Sequence, residues 1–188
     1  MHRHYFFGYG SLVNQRTHDY PDGRPARLHG WRRVWRGTPL APQAFLSAHQ
    51  TGDGVIDGLV AAVPDQDWTA LDRREMGYRR HSLADDVVHD LHKDTRVQVY
   101  AVPAENQHAQ DESPILLSYL DVVVQGFLHH FGQEGAAAFF DSTDGWARPV
   151  IDDRTAPLYP RHQTLDQAEL AAVDRHLDRL GVTKVPKS

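Results

Sequence analysis

The chain contains no cysteine among its 188 residues. Disulfide bridges, thiolate catalysis and zinc sites built on cysteine are therefore excluded. The sequence also lacks an apolar run long enough to cross a bilayer, and its first residues do not follow the pattern of a signal peptide. We therefore expect a cytoplasmic protein with no membrane partner.

An excess of positive charge is missing as well. The chain has 20 basic and 25 acidic residues and a formal net charge of −5. This balance provides no positive field for nucleic acid, so we expect no nucleic-acid partner. Short basic clusters within residues 32–36 and 73–80 are interpreted as solvated faces of a strand and a helix.

Histidine is frequent, with 13 copies, but none of them lies in an HExxH pattern. Scattered surface histidines are the simpler interpretation, and we expect no metal and no cofactor. The alternative is a metal-dependent hydrolase whose site is built from histidines that are distant in sequence.

The first half of the chain has the composition of short strands, and helices dominate the second half. This order favours an α+β fold over a parallel sheet. Turn-forming residues predict a loop over 37–54, with a short strand at 44–46 as the alternative for that part, and Met76 is expected to face the core. Strands are predicted at 4–9, 26–36, 55–63, 83–90 and 96–102. Helices are predicted at 65–74, from 113 to a stop at Gly132, at 133–140, and from a capping box at 164–167 to 180, before a frayed tail at 184–188.

The segment Tyr-Phe-Phe-Gly-Tyr-Gly-Ser-Leu at residues 5–12 is the most informative one. An aromatic strand stops at two glycines that allow a sharp turn and a close approach of the backbone. Amide groups without partners at such a turn can form a nest for a carboxylate or an oxyanion. The alternative is an ordinary strand followed by a tight turn.

Glu75 is the second candidate, because it ends the predicted helix at 65–74 just before Gly77 and Tyr78. A carboxylate at a helix C-terminus faces the negative end of the dipole, and burial would raise its pKa further. Such a group is suited to general-base catalysis. Alternatively, Glu75 is a surface residue paired with a neighbouring arginine.

Tyr119 is the third candidate, and it lies in the apolar helix that follows Ser113 and Pro114. It shares a helix face with Ile115 and Val123, which indicates packing in the core. A buried phenol needs a partner for its hydroxyl group, so a position facing a pocket is the alternative.

Taken in order, these segments resemble the γ-glutamylcyclotransferase family. The resemblance rests on Tyr-Gly-Ser-Leu at 9–12, Leu-His-Gly-Trp-Arg-Arg-Val-Trp at 28–35, Leu-Asp-x-x-Glu leading to Gly-Tyr at 71–78, and Ser-Tyr-Leu at 118–120. It covers roughly residues 4–131 and leaves residues 141–188 outside.

The resemblance implies a small mixed β-barrel flanked by helices. We expect residues 1–140 to form this barrel domain, and residues 141–188 to add a loop and a C-terminal helix packed on it. The implied enzyme needs no cofactor and belongs to the lyase or acyltransferase type. Its small-molecule substrate is a γ-glutamyl amide, which it cleaves by attack of the substrate's own α-amine, releasing 5-oxoproline and an amine, amino acid or peptide.

The resemblance also assigns roles to residues. Glu75 is the general acid/base, and the substrate-binding residues are Tyr9, Gly10, Ser11, Leu12, Tyr78 and Tyr119. Tyr78 follows Glu75 by only three residues, which is similar to the glutathione-specific branch of the family and leaves the role of Tyr78 open.

The loops at 37–54 and 141–162 are expected to line the pocket for the amine half of the substrate. Trp146 is either a lid over that pocket or a buried anchor. The residues specify neither the amine half nor an oligomeric state. A non-catalytic module that binds small molecules on the same fold is the alternative function.

Overall fold

The protein has a mixed α+β architecture in a computed structural model that describes residues 3–83, 86–108 and 112–187. In chain order the described residues form β1 (His4–Gly8), β2 (Arg24–Thr38), β3 (Ala41–Ala62), α1 (Thr69–Arg74), β4 (Arg79–Leu83), β5 (Val87–Val88), β6 (Arg96–Ala101), β7 (Ile115–Leu116), α2 (Leu117–Asp141), β8 (Thr143–Asp144), β9 (Val150–Asp152), α3 (Gln167–Arg179) and β10 (Lys184–Pro186).

The main sheet follows the order β4-β6-β1-β3-β2-β5, and β8 pairs with β2. Strand β1 runs parallel to β6 and antiparallel to β3, so the sheet is mixed as predicted. The α+β class is therefore confirmed. The order has two ends, β4 and β5, so the expected barrel takes the form of a curled sheet that is only half closed.

Strand β1 lies in the middle of this sheet, and its aromatic run is buried on both faces. Tyr5 and Phe7 belong to the main core, whereas Phe6 faces a second core cluster that includes Trp68 and Leu71. Burial on both sides explains why the run is continuously apolar instead of alternating. The chain leaves the sheet at Gly8, where this buried run ends.

Strands β2 and β3 form one long antiparallel hairpin. Most of the loop predicted at 37–54 is therefore wrong, because β3 already begins at Ala41 and contains the strand considered at 44–46. Ala44, Leu46 and Ala48 alternate along β3 and are buried. Backbone pairing with β2 overrides the local preference of the Gly- and Pro-rich sequence for turns.

The helices begin later than predicted. Helix α1 starts at Thr69, since Asp65 has a positive φ of 53° that interrupts the turn before it. Helix α2 starts at Leu117, because Ile115 and Leu116 pair with β9 as strand β7. Gly132 interrupts α2 with a φ of 65°, at the predicted stop.

The single strand predicted at 83–90 is wrong, because two separate strands occupy this region. The structure has β4 at Arg79–Leu83 and β5 at Val87–Val88, and residues 84–85 lie outside the described residues. The polar β4 sits at the edge of the sheet, where one face does not need apolar side chains.

The C-terminal part folds onto α2. Strands β7, β9 and β10 form a small parallel sheet, so the tail predicted to fray is paired through Pro186. The capping box of α3 lies at Asp166 and Glu169 rather than at 164–167. Trp146 stacks on Phe140 and is an anchor rather than a lid.

Within residues 3–83, 86–108 and 112–187, no helix combines the length and apolarity needed to span a bilayer.

Candidate active site

The chain leaves β1 through the turn at residues 9–12, here called the glycine turn. Ser11 begins a short 3₁₀ helix that ends at Val13. The Tyr9 hydroxyl donates to the carbonyl of Tyr100 at 2.6 Å, and burial raises the pKa of Tyr9. Tyr9 is therefore a neutral, fixed part of the wall at the end of β1.

Arg33 supports the glycine turn by a hydrogen bond to its main chain. It is 0% exposed, and its Nε donates to the Tyr9 carbonyl at 2.9 Å. In a trans peptide group C=O and N–H point in opposite directions, so the Gly10 N–H faces away from Arg33. Burial lowers the pKa of Arg33 to about 9, which leaves the guanidinium charged at neutral pH.

Arg33 was predicted on a solvated face, and this was wrong. Its other donors bind the Ser142 hydroxyl and the main-chain carbonyl of Asp57, and its guanidinium lies 4.8 Å from the ring centre of Phe127. In the described part of the chain, no carboxylate lies within ion-pair distance of it. Alternation along β2 places Arg33 on the same face as the buried Trp31 and Trp35, and this signal was overlooked.

Glu75 lies at the C-terminus of α1, where its amide donates to the Leu71 carbonyl at 2.9 Å. Its side chain is 15% exposed. Burial raises the pKa of Glu75, and the positive charges of Arg74 and Arg161 oppose that rise. The carboxylate therefore has the environment that the sequence predicts for a general base.

Arg74 connects Glu75 to the glycine turn. Its Nε lies 3.1 Å from the Glu75 carboxylate, and its terminal nitrogens donate to the Thr17 carbonyl at 2.8 Å and the Ser11 hydroxyl at 3.3 Å. The ion pair that we considered as the alternative for Glu75 does form, but it is almost fully buried. The sequence offered Arg74 as a partner of Glu75, but only as a surface pair, so its burial in the site was not predicted.

Two tyrosines form the side walls. Tyr78 donates to the Leu46 carbonyl at 3.0 Å and stacks on Phe45 at 5.5 Å between ring centres. The Tyr119 hydroxyl lies so close to Gly10 that a Cβ there would be 2.8 Å away. The glycine is therefore required by the close approach of this phenol. Burial raises the pKa of both tyrosines well above the usual range.

These residues surround two adjoining spaces. The inner cleft, of about 30 Å³, is lined among others by Tyr9, Gly10 and Leu12, and the outer cleft, of about 150 Å³, opens from it. Both clefts share a common wall, which consists of Ser11, Leu46, Glu75, Tyr78 and Tyr119. All the site residues predicted from the sequence therefore meet at one place. Leu12 also belongs to the second core cluster.

The outer cleft is completed by both loops that were expected to line the pocket. Residues 43–46 of β3 form one side, and Tyr159 and Arg161 form the other. The latter two belong to the rim segment, residues 153–161. The Tyr159 ring packs edge-on against Tyr119 at 5.0 Å. No sequence motif singled out Tyr159 or Arg161.

The histidines do not converge. Across residues 3–83, 86–108 and 112–187, no three potential ligands among His, Asp and Glu are grouped to hold a metal ion. Among the described residues, the clefts offer one buried carboxylate, backbone amides, the Ser11 hydroxyl, five phenols and two guanidinium groups.

Comparison with known proteins agrees with this fold. The ChaC-like protein family model matches residues 4–127, and no curated protein sequence matches the chain. A structure called gamma-glutamyl cyclotransferase is similar at 14% identity and a TM-score of 0.57, over 91% of this chain and 98% of its own.

Two further structures share the fold. YkqA from Bacillus subtilis is 18% identical with a TM-score of 0.55, over 71% of this chain and 51% of its own. The uncharacterized protein loc79017 from Homo sapiens is 12% identical with a TM-score of 0.54, over 90% and 97%. The chain belongs to the ChaC-like family, a family of γ-glutamylcyclotransferases.

Proposed function

We propose that the protein cleaves a γ-glutamyl amide, with Glu75 as the general acid/base, and releases 5-oxoproline and the amine half. The short spacing between Glu75 and Tyr78 makes glutathione the first substrate to test. The proposal concerns the substrate class and the catalytic residue within the cyclotransferase activity that family and fold indicate.

One observation carries the proposal: a buried carboxylate and a glycine turn line the same small cleft. A curled γ-glutamyl group needs a base at its α-amine and donors at its oxygen atoms. Glu75 supplies the first, and the amides of the glycine turn supply the second. Ring closure is intramolecular, and good orientation alone contributes about 7–11 kcal/mol to lowering the barrier.

The proton balance of the reaction suits a single carboxylate. The α-ammonium loses two protons as its nitrogen becomes the ring amide, and the leaving nitrogen gains two as it departs as an ammonium. Glu75 accepts a proton when the nucleophilic amine forms and donates one to the leaving nitrogen as the C–N bond breaks. Such proton transfer contributes about 10²–10⁴ in rate.

The test is the variant Glu75→Gln, which keeps the shape of the side chain and removes its basicity. We expect 5-oxoproline release, measured by mass spectrometry, to fall by about 10²–10⁴. Glu105→Gln is the matched control, because Glu105 is exposed and pairs with Arg79 outside both clefts. It should retain wild-type rates.

Two results would contradict the proposal. Full activity of Glu75→Gln would remove this residue from the mechanism. Calorimetric binding of γ-glutamyl compounds by the wild type, with no product over hours, would instead favour the binding module.

A further inference from the structure

The rim segment is anchored to the start of α2 by a buried carboxylate. Asp153 is 0% exposed and accepts hydrogen bonds from the Ser118 amide at 2.8 Å, the Ser118 hydroxyl at 2.6 Å and the Leu158 amide at 2.8 Å. The Tyr159 amide donates to the same Ser118 hydroxyl at 3.2 Å. The segment is therefore fixed directly beside Tyr119.

A second anchor holds the same segment to both helices. Arg154 binds Asp121 of α2 at 2.7 Å and Asp174 of α3 at 2.9 Å. The guanidinium of Arg154 is therefore already paired with two carboxylates of the protein. The turn beyond it is closed by the His162 amide, which donates to the Tyr159 carbonyl at 3.0 Å.

Arg161 differs from Arg154 in having no such partner. Within the described residues, its guanidinium makes no hydrogen bond or ion pair, although it lines the outer cleft and its charge acts on Glu75. The charged side chains that line this cleft are Arg74, Glu75 and Arg161. Since Arg74 and Glu75 pair with each other, the positive charge of Arg161 remains uncompensated.

The position of Arg161 places it near the amine half of the substrate, which leaves in the reaction. It lines the outer cleft and not the inner cleft, where Gly10 and Glu75 are proposed to hold the γ-glutamyl group. The leaving amine half must then extend outward, past Tyr119 and towards Arg161. A guanidinium there would attract a carboxylate and repel a cation.

We propose that Arg161 determines specificity by binding a carboxylate on the leaving half of the substrate. This inference rests on the proposed function and narrows it. The substrates are γ-glutamyl amino acids or peptides with a free carboxylate, rather than γ-glutamyl alkylamines or polyamines. Arg161 lies outside residues 4–127, so this specificity comes from the part of the chain that the family model does not match.

The test uses three probes that share the γ-glutamyl group: γ-glutamylalanine, γ-glutamylethylamine, which lacks only the carboxylate, and γ-glutamylputrescine, which is cationic. The wild type should prefer them in that order. In Arg161→Gln, kcat/KM for γ-glutamylalanine should fall by about ten- to a hundredfold, mainly through KM. The rate for γ-glutamylethylamine should stay within about twofold of the wild type.

Arg175→Gln is the matched control, since Arg175 is an exposed arginine on α3 away from the clefts. It should change none of the three rates. All assays are run on the plateau of the pH profile, so that a change in the ionisation of Glu75 does not enter the comparison.

The outcomes separate the two proposals. If the wild type cleaves the probes without preference, or if Arg161→Gln lowers all three rates equally, the role of Arg161 is overturned and the cyclotransferase proposal stands. If the wild type releases no 5-oxoproline from any γ-glutamyl compound, the proposed function fails, and the specificity proposal fails with it.

Discussion

The glycine turn and the rim segment are two walls of the site, and each rests on one fully buried charge. Beneath the glycine turn this charge is the cation Arg33, and beneath the rim segment it is the anion Asp153. Within the described residues neither forms an ion pair. Arg33 is satisfied by carbonyls and a hydroxyl, and Asp153 by amides and a hydroxyl.

This comparison indicates how the protein positions a small cleft. A buried charge is tolerated only when its hydrogen bonds are complete, so any displacement of the backbone around it is costly. Each buried ion therefore fixes a backbone segment that has little regular structure of its own. The two walls differ in origin, because Arg33 lies inside residues 4–127 and Asp153 lies outside.

The largest expected effect on stability tests the wall of the glycine turn. Arg33→Met keeps much of the side-chain volume but leaves the carbonyls of Tyr9 and Asp57 without this donor. We expect a loss of about 2–6 kcal/mol in unfolding free energy, about 1–3 for each carbonyl. Urea unfolding measures it.

Arg32→Met is the control for this variant. Arg32 is the preceding residue and forms a partly exposed ion pair with Asp144, which should contribute about 0–1 kcal/mol. Equal stability of the two variants would show that the buried guanidinium does not support the turn.

The second prediction tests the wall of the rim segment. Asp153→Asn replaces an acceptor oxygen with a donor against the Leu158 amide, so we expect a loss of about 1–3 kcal/mol. The displaced segment should also weaken the preference for γ-glutamylalanine over γ-glutamylethylamine. Asp152→Asn, at the exposed neighbouring position, should leave both stability and preference unchanged.

If Asp153→Asn unfolds like the wild type and keeps the full preference, the two walls are not equivalent. In that case the anchoring of the rim segment would depend on Arg154 and its two carboxylates instead.

The smallest expected effect is a shift in pH dependence. A general base works in its ionised form, so kcat/KM falls as the pH drops through the pKa of free Glu75. Because burial raises the pKa of Glu75, the acid limb should lie at higher pH than for an ordinary glutamate. Arg161 opposes this rise, so Arg161→Gln should move the limb to still higher pH. An unchanged or lower limb in the variant would place Arg161 too far away to act on Glu75.

Local patterns predicted the parts of the site that belong to regular elements. The aromatic run before Gly10 marked β1 and its end, and the glycine after Glu75 marked the end of α1. These signals are local, since they depend on backbone conformation and on the spacing of apolar residues. The loop prediction for the turn-rich segment after Gly37 was wrong because local patterns do not report pairing with a distant strand. The pairing of this segment with β2 depends on the whole hairpin.

The burial of the ion pair between Arg74 and Glu75 had no local signal, whereas alternation along β2 already places Arg33 on the face of Trp31 and Trp35. A basic residue within a strand or at a helix end is usually solvated, and the buried position of Arg33 is favourable because of its hydrogen bonds and the packing of Phe127 and Phe139 on its guanidinium. Arg161 was equally hidden, because its location at the cleft follows from the anchoring of Asp153 to Ser118.

By itself, the amino-acid sequence determined the α+β class, the family resemblance and the identity of the one acid placed next to a helix-ending glycine. The tertiary structure alone decided which ion pairs and arginines are buried, and which residues of the loop 141–162 reach the cleft. The physical reason is the distance along the chain over which each kind of interaction acts. Backbone preferences act over a few neighbouring residues, whereas burial and charge compensation depend on groups that are far apart in the chain and meet only after folding.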